Sequence, residues 1–458
     1  MIKSKLKFVT LLFLIFQSQI IFAQQSPYGI SLSGMEWGNG DGPYNVPTQA
    51  ELNYYAGKGL KLIRLPILWE FAQPTLGGPL DPVYLSYVDS VVLYASNAGI
   101  SINLDVHNYA RYPYNGAVIN TSGGPTIAQF GGFWKLLAAH FASQPAIWGY
   151  DIMNEPNNLG TKASGGTNYW FPIVQAAIDS IRLADKIHFL IIEGDFWSHA
   201  NTWTSKNAIA NNNLGLLVDG QNKLVFEAHQ YFDKDGSGTY GVNDANTSAS
   251  FSSYPNNVSA GVSLVSPFVE WINKYGFRGY LGEFGVPNSA YDASSTDVAN
   301  WNQLLDNLLG YLQSNCILGT YWAGGINWPY TNYVISAEPS APVGGTDASQ
   351  MAVLQNYTSI PATCTKYAIG PLSTVTGTTN NYIPNPSINV YPNPTTDFIY
   401  LSGVESGTQV SIFDVTGQPI YQGTYTNAPI SIADKPKGLY NIKLTTPENT
   451  QYIKVIVQ

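Results

Sequence analysis

Two glutamates occupy positions in the sequence where a carboxylate has little structural use. Glu155 follows an apolar run in the segment IWGYDIMNEP, residues 147–156, and Glu283 lies within GYLGEFGV, residues 279–286. Each run is typical of a buried strand, and an ionised glutamate is almost never fully buried unless it is paired. Two carboxyl groups facing each other across a pocket are what hydrolysis of a glycosidic bond requires, one as a protonated acid and the other as an ionised nucleophile or base. We therefore predict Glu155 and Glu283 as a catalytic pair.

Further polar and aromatic residues lie at the ends of other predicted strands: Arg64, His107, Asn154, His229, Tyr231 and Trp322. Taken singly, each has a structural alternative, such as a surface ion pair, a core histidine with satisfied hydrogen bonds, or simple packing of an indole ring. Their recurrence at equivalent positions favours a site. Arg64 and Asn154 would keep one carboxylate ionised through charge and hydrogen bonding, while a less polar setting would keep the other protonated near neutral pH.

The order of the predicted elements indicates how these residues meet. Apolar strand-like runs alternate with helical patterns, which is typical of parallel strands joined by crossover helices. Eight strands are predicted, at 29–37, 61–66, 101–108, 147–156, 188–196, 224–232, 279–286 and 319–325. Between them lie amphipathic segments such as PVYLSYVDSVVLYASNAG, a helix expected to end at Gly99. Eight such units over about 340 residues predict an α/β fold, a (β/α)8 barrel, in which the C-terminal ends of the strands converge on one face.

The composition favours a carbohydrate over a nucleic acid as partner. Lys plus Arg number 21 against 30 Asp plus Glu, a net charge of −9, so no basic surface would neutralise a phosphate backbone. The 31 Tyr and 11 Trp suit a groove that stacks on flat, uncharged ligands such as sugars. Trp37, Trp69, Trp197 and Trp328 are candidates to stack on pyranose rings along such a cleft, and each could equally be a core residue.

The N-terminal segment has the pattern of a secretion signal. Residues 1–23 combine three lysines with an apolar run and end in the small residue Ala23, after which we expect cleavage. No later segment approaches the 18 unbroken apolar residues of a membrane span, so the mature protein is expected to be soluble and exported. The two cysteines, Cys316 and Cys364, would then meet an oxidising compartment, and a disulfide and two separate buried thiols remain open alternatives.

The composition changes after the predicted barrel. Residues 369–386 are rich in Pro, Thr, Asn and Gly and are predicted to be a linker. Residues 387–458 contain short alternating strands broken by turn signals, which predicts a small antiparallel sandwich. The motifs YPNP and KGLYNIKL resemble the C-terminal sorting domain of the type IX secretion system, which implies export read at the outer membrane by the secretion machinery. A carbohydrate-binding module is the alternative, but this region has no tryptophan.

The barrel region resembles a known enzyme family. The segments RLP, DVHNY, NEP, AHQYF and GEFG, together with LWEFAQPTLGGPLDP and YFDKDGSGT, are similar to glycoside hydrolase family 5 and most of all to its fungal-type endoglucanase subfamily. The resemblance extends from about residue 28 to residue 366, and the predicted catalytic domain spans 26–368. The sequence departs from the subfamily pattern in VPNSAYDASS and in WAGGINWPYTNYVISAEP, two loops expected near the leaving-group side.

This resemblance implies a role for each candidate residue. Glu155 would be the general acid/base and Glu283 the nucleophile of a retaining mechanism. Arg64 and Asn154 would orient the nucleophile and the sugar 2-hydroxyl. The remaining polar shell would be His107, His229 and Tyr231, and Trp322 would form the floor beside the scissile bond, through a cis peptide to Ala323.

One segment has an alternative interpretation as a calcium-binding loop. DKDGSGTYGVND places Asp233, Asp235, Ser237, Gly238 and Asp244 at a suitable spacing. It follows a strand rather than a helix and lacks the closing glutamate, so we predict neither a metal nor a cofactor. No His or Cys spacing indicates zinc.

Together these observations predict a secreted, monomeric endo-β-1,4-glucanase that acts on cellulose or related β-glucans. Two alternatives remain open. One keeps the chemistry and changes the polymer to mannan, xylan or mixed-linkage glucan, since the subsites rather than the two carboxyl groups choose the sugar. The other is a catalytically silent surface protein that binds glycans, against which the intact pair of Glu155 and Glu283 argues.

Overall fold

The computed structural model describes two compact units, one on each side of residues 365–388. The described residues are 26–39, 42–43, 45–159, 170–207, 214–240, 250–252, 254–289, 295–331, 333–361, 363–364, 389–391, 395–402, 404, 407–414, 418–426, 428–445 and 450–457. The predicted signal peptide, residues 1–23, and the predicted linker, residues 369–386, lie outside them. Every helix in the described part of the chain is too short or too polar to cross a membrane.

The first unit is built on eight parallel strands that close into a barrel. The strands are β1 (Tyr28–Leu32), β2 (Leu62–Ile67), β3 (Ser101–Val106), β4 (Ile147–Asp151), β5 (Phe189–Glu193), β6 (Leu224–His229), β7 (Gly279–Glu283) and β8 (Ile317–Gly324). They pair in the order β1-β8-β7-β6-β5-β4-β3-β2, and β2 pairs with β1 to close the sheet. The predicted (β/α)8 barrel is confirmed, and several strands are shorter at their C-terminal ends than predicted.

Helices connect most of the strands. They are α1 (Gln49–Gly57), α2 (Pro82–Ala98), α3 (Ile127–Phe141), α4 (Trp170–Arg182), α5 (Ala260–Tyr275), α6 (Ser295–Ser314) and α7 (Met351–Leu354). In α2, the Asp81 side chain accepts the N–H of Tyr84 at the first turn, and Gly99 takes a left-handed φ of 66° after the last, as predicted. Shorter helical turns are Trp69–Ala72, Phe196–Ser198, Ala200–Thr202, Trp203–Asn207, Leu214–Leu216 and Gln355–Tyr357.

The interior of the barrel changes from apolar to charged along its axis. A cluster near the N-terminal ends of the strands consists of Leu62, Trp148, Phe189, Ile191, Val225, Tyr280 and Leu318. Inward-facing residues recur at every second position of a strand. The next inward positions after Leu62, Ile191 and Val225 are therefore the buried residues Arg64, Glu193 and Glu227. A charged layer thus lies directly beneath the face where the C-terminal ends of the strands converge.

A disulfide joins Cys316, immediately before β8, to Cys364, at a sequence separation of 48. Of the two alternatives left open by the sequence, two separate thiols are wrong. A cross-link of roughly this loop length stabilises the folded state by about 4 kcal/mol in the chain-entropy description.

The second unit is all β. Its strands are β9 (Asn389–Tyr391), β10 (Phe398–Ser402), β11 (Gln409–Phe413), β12 (Pro419–Thr424), β13 (Ile430–Ser431), β14 (Gly438–Thr445) and β15 (Thr450–Val457). They form one antiparallel sheet in the order β9-β10-β13 and another in the order β12-β11-β14-β15. Buried side chains such as Ile399, Ile412 and Ile442 belong to one hydrophobic cluster. The predicted antiparallel architecture is confirmed.

Candidate active site

Arg64, in the middle of β2, is the centre of a buried polar network. Its Nη1 lies 2.8 Å from Oε1 of Glu283, and its Nη2 donates to the side-chain oxygen of Asn154 at 2.9 Å. The side chain of Arg64 is fully buried. Burial alone would lower the pKa of Arg64, but the surrounding carboxylates raise it well above its ordinary value, so the guanidinium stays charged. The nucleophile candidate is thereby fixed to a rigid strand through a charged hydrogen bond.

Glu155 lies beyond the end of β4 rather than within it. The predicted strand extended to residue 156, but β4 ends at Asp151, and Glu155 takes a left-handed φ of 42°. Its N–H donates to Oε2 of Glu193 at 2.8 Å, and its Oε1 lies 2.9 Å from Nδ1 of His229. Backbone strain of this kind persists where surrounding contacts hold it, as they do here. The side chain remains 17% exposed and is therefore open to the cleft.

Glu283 closes β7 in a different environment. Besides the bond from Arg64, its Oε2 accepts the hydroxyl of Tyr231 at 2.6 Å, and Nδ1 of His229 lies 3.5 Å away. Burial alone would raise the pKa of Glu283, but the charges of His229, Arg64 and His107 and the Tyr231 hydrogen bond lower it below its ordinary value. Glu283 is therefore held as a carboxylate.

The separation of the two glutamates bears on their chemistry. One carboxylate oxygen of Glu155, one of Glu283 and a ring nitrogen of His229 all lie within 4.8 Å of one another. Retaining glycosidases hold their two carboxyl groups about 5–5.5 Å apart, whereas inverting enzymes keep them roughly 6.5–9.5 Å apart to admit a water. The nearest oxygens of Glu155 and Glu283 are thus closer than the separation of inverting enzymes, which favours the retaining class.

His107 and Trp322 complete one wall of the site. The indole of Trp322 stacks on the imidazole of His107 at a centroid distance of 5.5 Å, with only 10° between the ring planes. Nδ1 of His107 lies 2.7 Å from Asp105, and Nε1 of Trp322 donates to the hydroxyl of Tyr333 at 3.2 Å. The peptide bond between Trp322 and Ala323 is cis, as the family resemblance implied.

The structure thus brings together all eight of the residues expected at the strand ends, and it adds others that the sequence analysis missed. The added residues are Asp105, Asp151, Glu193, Glu227 and Tyr333. The four acids occupy inward positions, and two of them precede a predicted site residue by two places, as Asp105 precedes His107 and Glu227 precedes His229. That period of two was the signal that could have identified Asp105 and Glu227.

Three of the four candidate tryptophans on the loops are accessible or partly so. Trp37 is 44% exposed and meets Trp328 edge to face at a centroid distance of 5.8 Å. Trp328 in turn lies 6.1 Å from Trp322. Trp197 is 41% exposed and borders a cleft of about 270 Å³ together with Tyr231. Aromatic rings therefore lie next to Trp322 on one side and in the cleft that Tyr231 borders on the other.

The expectation that Trp69 lines the cleft is wrong. Its side chain is fully buried and stacks on Phe133 of α3 at 5.2 Å, while its Nε1 donates to Gln73 at 3.0 Å. Trp69 lies in the turn Trp69–Ala72 directly after β2, where α3 covers it. It is a core residue.

Trp37 and Trp69 offer a matched pair of tryptophan substitutions. Trp37→Ala is expected to raise KM for a soluble glucan by about 5- to 10-fold, the loss of one stacking contact, with little change in stability. Trp69→Ala is expected to lower the free energy of unfolding by about 3–5 kcal/mol, because it empties a packed core position. Steady-state kinetics and urea unfolding separate the two effects, and equal stability loss in both variants would contradict this assignment.

Removal of the central guanidinium is expected to be costly for folding. Arg64→Met should lower the free energy of unfolding by about 3–5 kcal/mol, because it leaves several buried carboxylates without their counter-charge. Lys58→Met is the control: Lys58 pairs with Asp347 at 2.5 Å with side chains 24% and 37% exposed, and its loss should cost at most about 1 kcal/mol. Urea unfolding measures both, and wild-type stability of Arg64→Met would be the contrary result.

The loop considered for calcium uses its carboxylates within the turn. Asp233 accepts the N–H groups of Gly238 and Tyr240, each at 3.1 Å, and Asp235 accepts the N–H of Ser237 at 3.1 Å. Asp244 lies outside the described residues. The observed bonds account for the spacing as a turn motif.

Comparison with known proteins assigns both units to families. Residues 23–327 match the family model described as Cellulase (glycosyl hydrolase family 5), and residues 389–458 match the secretion system C-terminal sorting domain. Endoglucanase 3 of Humicola insolens is 31% identical over 331 residues, which cover 70% of this chain and 74% of the relative. The manganese dependent endoglucanase Eg5A of Phanerodontia chrysosporium is 31% identical over 302 residues, 64% of this chain and 69% of the relative. The crystal structure of Pseudomonas stutzeri endoglucanase Cel5A in complex with cellobiose superposes with a TM-score of 0.62 at 33% identity, and covers 75% of this chain and 94% of that chain.

Proposed function

The chain belongs to glycosyl hydrolase family 5, the cellulase family, and from this premise we propose that it is an exported endo-β-1,4-glucanase with Glu283 as nucleophile and Glu155 as general acid/base. The observation that carries the proposal is the pairing of the two carboxyl groups, close together but in unlike surroundings. Glu283 is bonded to Arg64 and Tyr231, whereas Glu155 meets His229 and remains partly open to the cleft.

The first chemical step forms a glycosyl ester. A carboxylate oxygen of Glu283 attacks the anomeric carbon while the bond from that carbon to the leaving oxygen breaks, and Glu155 gives its proton to the leaving oxygen. Arg64 and Tyr231 hold the nucleophile by hydrogen bonds to different oxygens, which fixes its direction of attack. In the second step Glu155, now ionised, takes a proton from water, the water oxygen attacks the anomeric carbon, and Glu283 leaves as a carboxylate.

The substrate is proposed from the site and from the named relatives together. The relatives include endoglucanases, and one solved neighbour was crystallised with cellobiose. In this chain, Trp37, Trp328 and Trp322 follow one another at centroid distances of 5.8 and 6.1 Å. Of these rings, Trp37 is exposed and Trp328 is partly exposed, so their indoles are available to stack on glucose units. We propose a linear β-1,4-glucan as substrate.

A panel of polymers tests this proposal. Reducing-sugar release from carboxymethyl cellulose, mannan, xylan and laminarin is measured with the tail-less protein, residues 26–368. Preference for carboxymethyl cellulose supports the proposal, and preference for mannan or xylan assigns the same chemistry to another polymer. If glucan binds but no polymer is cleaved, the silent glycan-binding protein becomes the better account.

Export follows from the second unit. Residues 389–458 belong to a secretion system C-terminal sorting domain. We propose the outer-membrane secretion machinery as the partner of this unit, a monomer as the working form, and domain boundaries at residues 26–368 and 387–458.

Catalysis is proposed to proceed without a metal ion, although one relative is named manganese dependent. The donor atoms of this site are already engaged by groups of the protein. Burial would lower the pKa of His229, but the charges of Glu193 and Glu283 raise it well above its ordinary value, so the imidazole is positively charged and has no free nitrogen lone pair. Glu283 already accepts hydrogen bonds from Arg64 and Tyr231.

Removal of metal ions by a chelator tests whether catalysis needs a cation. Dialysis against EDTA is expected to leave kcat/KM within about twofold of its starting value, because no step passes through a cation. Addition of Mn²⁺ to the dialysed protein should likewise have little effect. A large loss on dialysis that Mn²⁺ restores would contradict this proposal.

A further inference from the structure

Arg64 lies among more carboxyl groups than its charge can balance. Its contacts are Asp151 and Glu227 at Nε (2.9 and 3.2 Å), Asp105 and Glu283 at Nη1 (3.1 and 2.8 Å), and Glu193 at Nη2 (3.1 Å). The histidines in contact with this group are His107 and His229. If both imidazoles are charged, three positive charges face five carboxyl groups, which leaves two negative charges in excess away from solvent. Uncompensated buried charge is avoided by the uptake of protons, so at least one of these acids should be neutral.

The register of the sheet forces the acids together in pairs. Asp105 on β3 is the lateral neighbour of Asp151 on β4, and Glu193 on β5 is that of Glu227 on β6. Like charges in directly opposed positions are destabilising. The side chain of Glu227 cannot move closer to β7, because it is already in close contact with Gly282. A Cβ atom placed on Gly282 would lie only 1.4 Å from Oε1 of Glu227. Gly282 directly precedes the nucleophile candidate, so Glu227 is pressed against the backbone that carries Glu283.

Hydrogen bonding identifies which acid is neutral. Both oxygens of Glu193 face donors, Arg64 at Oε1 and the N–H of Glu155 at Oε2, so its hydrogen bonds are satisfied, while burial raises its pKa to about 8 against the lowering effect of His229 and Arg64. In contrast, one oxygen of each of three acids is buried and meets no donor among the described residues: Oε2 of Glu227, Oδ1 of Asp151 and Oδ1 of Asp105. The side chain of Glu227 is within hydrogen-bonding reach of Asp151, so a proton on Glu227 would supply Asp151 with a donor.

The titration behaviour of the pair agrees with this geometry. Burial raises the pKa of Glu227 well above its ordinary value, and the charge of Asp151 raises it further. Burial also raises the pKa of Asp151, to about 6, while hydrogen bonds from Glu227 and Arg64 act to lower it. The groups that face Glu227 are Arg64 on β2, Asp151 on β4, Glu193 on β5, His229 on its own strand and Tyr280 on β7. Nε of Arg64 donates to Oδ2 of Asp151 at 2.9 Å and lies farther from Glu227, at 3.2 Å, so Asp151 is the carboxylate and Glu227 the group that donates to it.

We propose that Glu227 is protonated at neutral pH and donates a hydrogen bond to Asp151, so that the two carboxyl groups share one negative charge on the Nε edge of Arg64. Glu227 is then a positioning residue, and this role rests on the proposed function of Glu283. A neutral Glu227 leaves the Nη1 edge of Arg64 to the nucleophile and removes one like charge from its surroundings. An ionised Glu227 would raise the pKa of Glu283 and compete with it for the same guanidinium.

Infrared spectroscopy tests the protonation state without any substrate. The difference spectrum between wild type and Glu227→Gln near neutral pH should contain the carbonyl stretch of one protonated carboxyl group. Glu270→Gln, on the exposed face of α5, is the control and should remove only the bands of an ionised carboxylate. If Glu227→Gln also removes only carboxylate bands, the proposal is wrong, and that result does not depend on whether the enzyme cleaves glucan.

Kinetics tests the positioning role. Glu227→Ala, which leaves Asp151 without a donor, should lower kcat/KM by about 10- to 100-fold through kcat, since a small misplacement of a reacting group is enough for such a loss. The amide of Glu227→Gln can donate a hydrogen bond as the protonated acid does. Its kcat/KM should therefore be at least about tenfold higher than that of Glu227→Ala. In a plot of kcat/KM against pH, the acid limb of Glu227→Gln should coincide with that of the wild type. An acid limb displaced to lower pH would show that a negative charge had been removed, and a Gln variant as impaired as the Ala variant would also overturn the proposal.

Discussion

Glu283→Gln is expected to lower kcat on carboxymethyl cellulose by on the order of 10⁴-fold or more, because an amide cannot form the glycosyl ester through which both half-reactions pass. The loss should appear in kcat and in kcat/KM alike, since the missing interaction is made only in the transition state. The amide retains the size of the carboxylate; its oxygen can still accept the hydrogen bond from Arg64, and its NH2 group can donate to the hydroxyl oxygen of Tyr231. Binding of glucan should therefore persist, and isothermal titration with cello-oligosaccharide measures it.

The matched control for this substitution is again Glu270→Gln, an identical chemical change at an exposed position. It should retain full activity and the wild-type melting temperature. A Glu283→Gln variant that keeps more than about one per cent of wild-type kcat would contradict the assignment of the nucleophile. A variant that has unfolded would be recognised by circular dichroism before any kinetic conclusion is drawn.

Glu155→Gln is expected to have the second largest effect, and that effect should depend on the leaving group. With a polymer, whose leaving alkoxide needs a proton, kcat/KM should fall by about 10³- to 10⁴-fold. With an aryl β-cellobioside bearing a good leaving group, the glycosylation step needs little protonation, so its kcat/KM should fall by less than about tenfold. The second step still lacks its base, and the glycosyl-enzyme should accumulate as a burst of released phenol.

His229→Gln serves as the comparison for this acid/base variant. His229 contacts Oε1 of Glu155 at 2.9 Å but transfers no proton to the leaving group in the proposed mechanism. Its loss should lower the rates on the polymer and on the aryl glycoside by similar factors. If Glu155→Gln also slows both substrates equally, Glu155 is not the general acid.

The fold and the strand-end residues could be predicted because several independent patterns agree. Alternating strand and helix signals specify a barrel, and a barrel brings strand ends together. The predicted end of α2 was also a local signal, because Gly99 caps the helix through interactions with neighbouring residues only. His107, Glu155 and Glu283 stood out because a polar residue after an apolar run needs an explanation.

The acids beneath the site could not be predicted in the same way. Asp151 and Glu193 are the last residues of their strands, where a charged residue ordinarily marks the strand end. Their burial depends on Arg64, which approaches both from β2, and no property of β4 or β5 alone indicates that contact. A single sequence does not specify which distant charge pairs with which.

Trp69 is a residue that was predicted to lie in the site but lies in the core. An indole in a loop after a barrel strand fits a sugar platform and a core position equally well, and the outcome depends on α3, which lies some sixty residues further along the chain and packs Phe133 against it. Trp37, by contrast, remains exposed because β1 ends at Leu32, five residues earlier than predicted, and the following loop carries the indole to the cleft.

The stereochemistry of the first product tests the two-glutamate mechanism most directly. Proton NMR of a cello-oligosaccharide digest, recorded before mutarotation proceeds, gives the anomeric configuration of the newly released reducing end. Two successive displacements at the anomeric carbon predict the β anomer, in agreement with carboxylate oxygens that lie within 4.8 Å of each other. Initial release of the α anomer would mean a single displacement by water, and Glu283 could then not be the nucleophile.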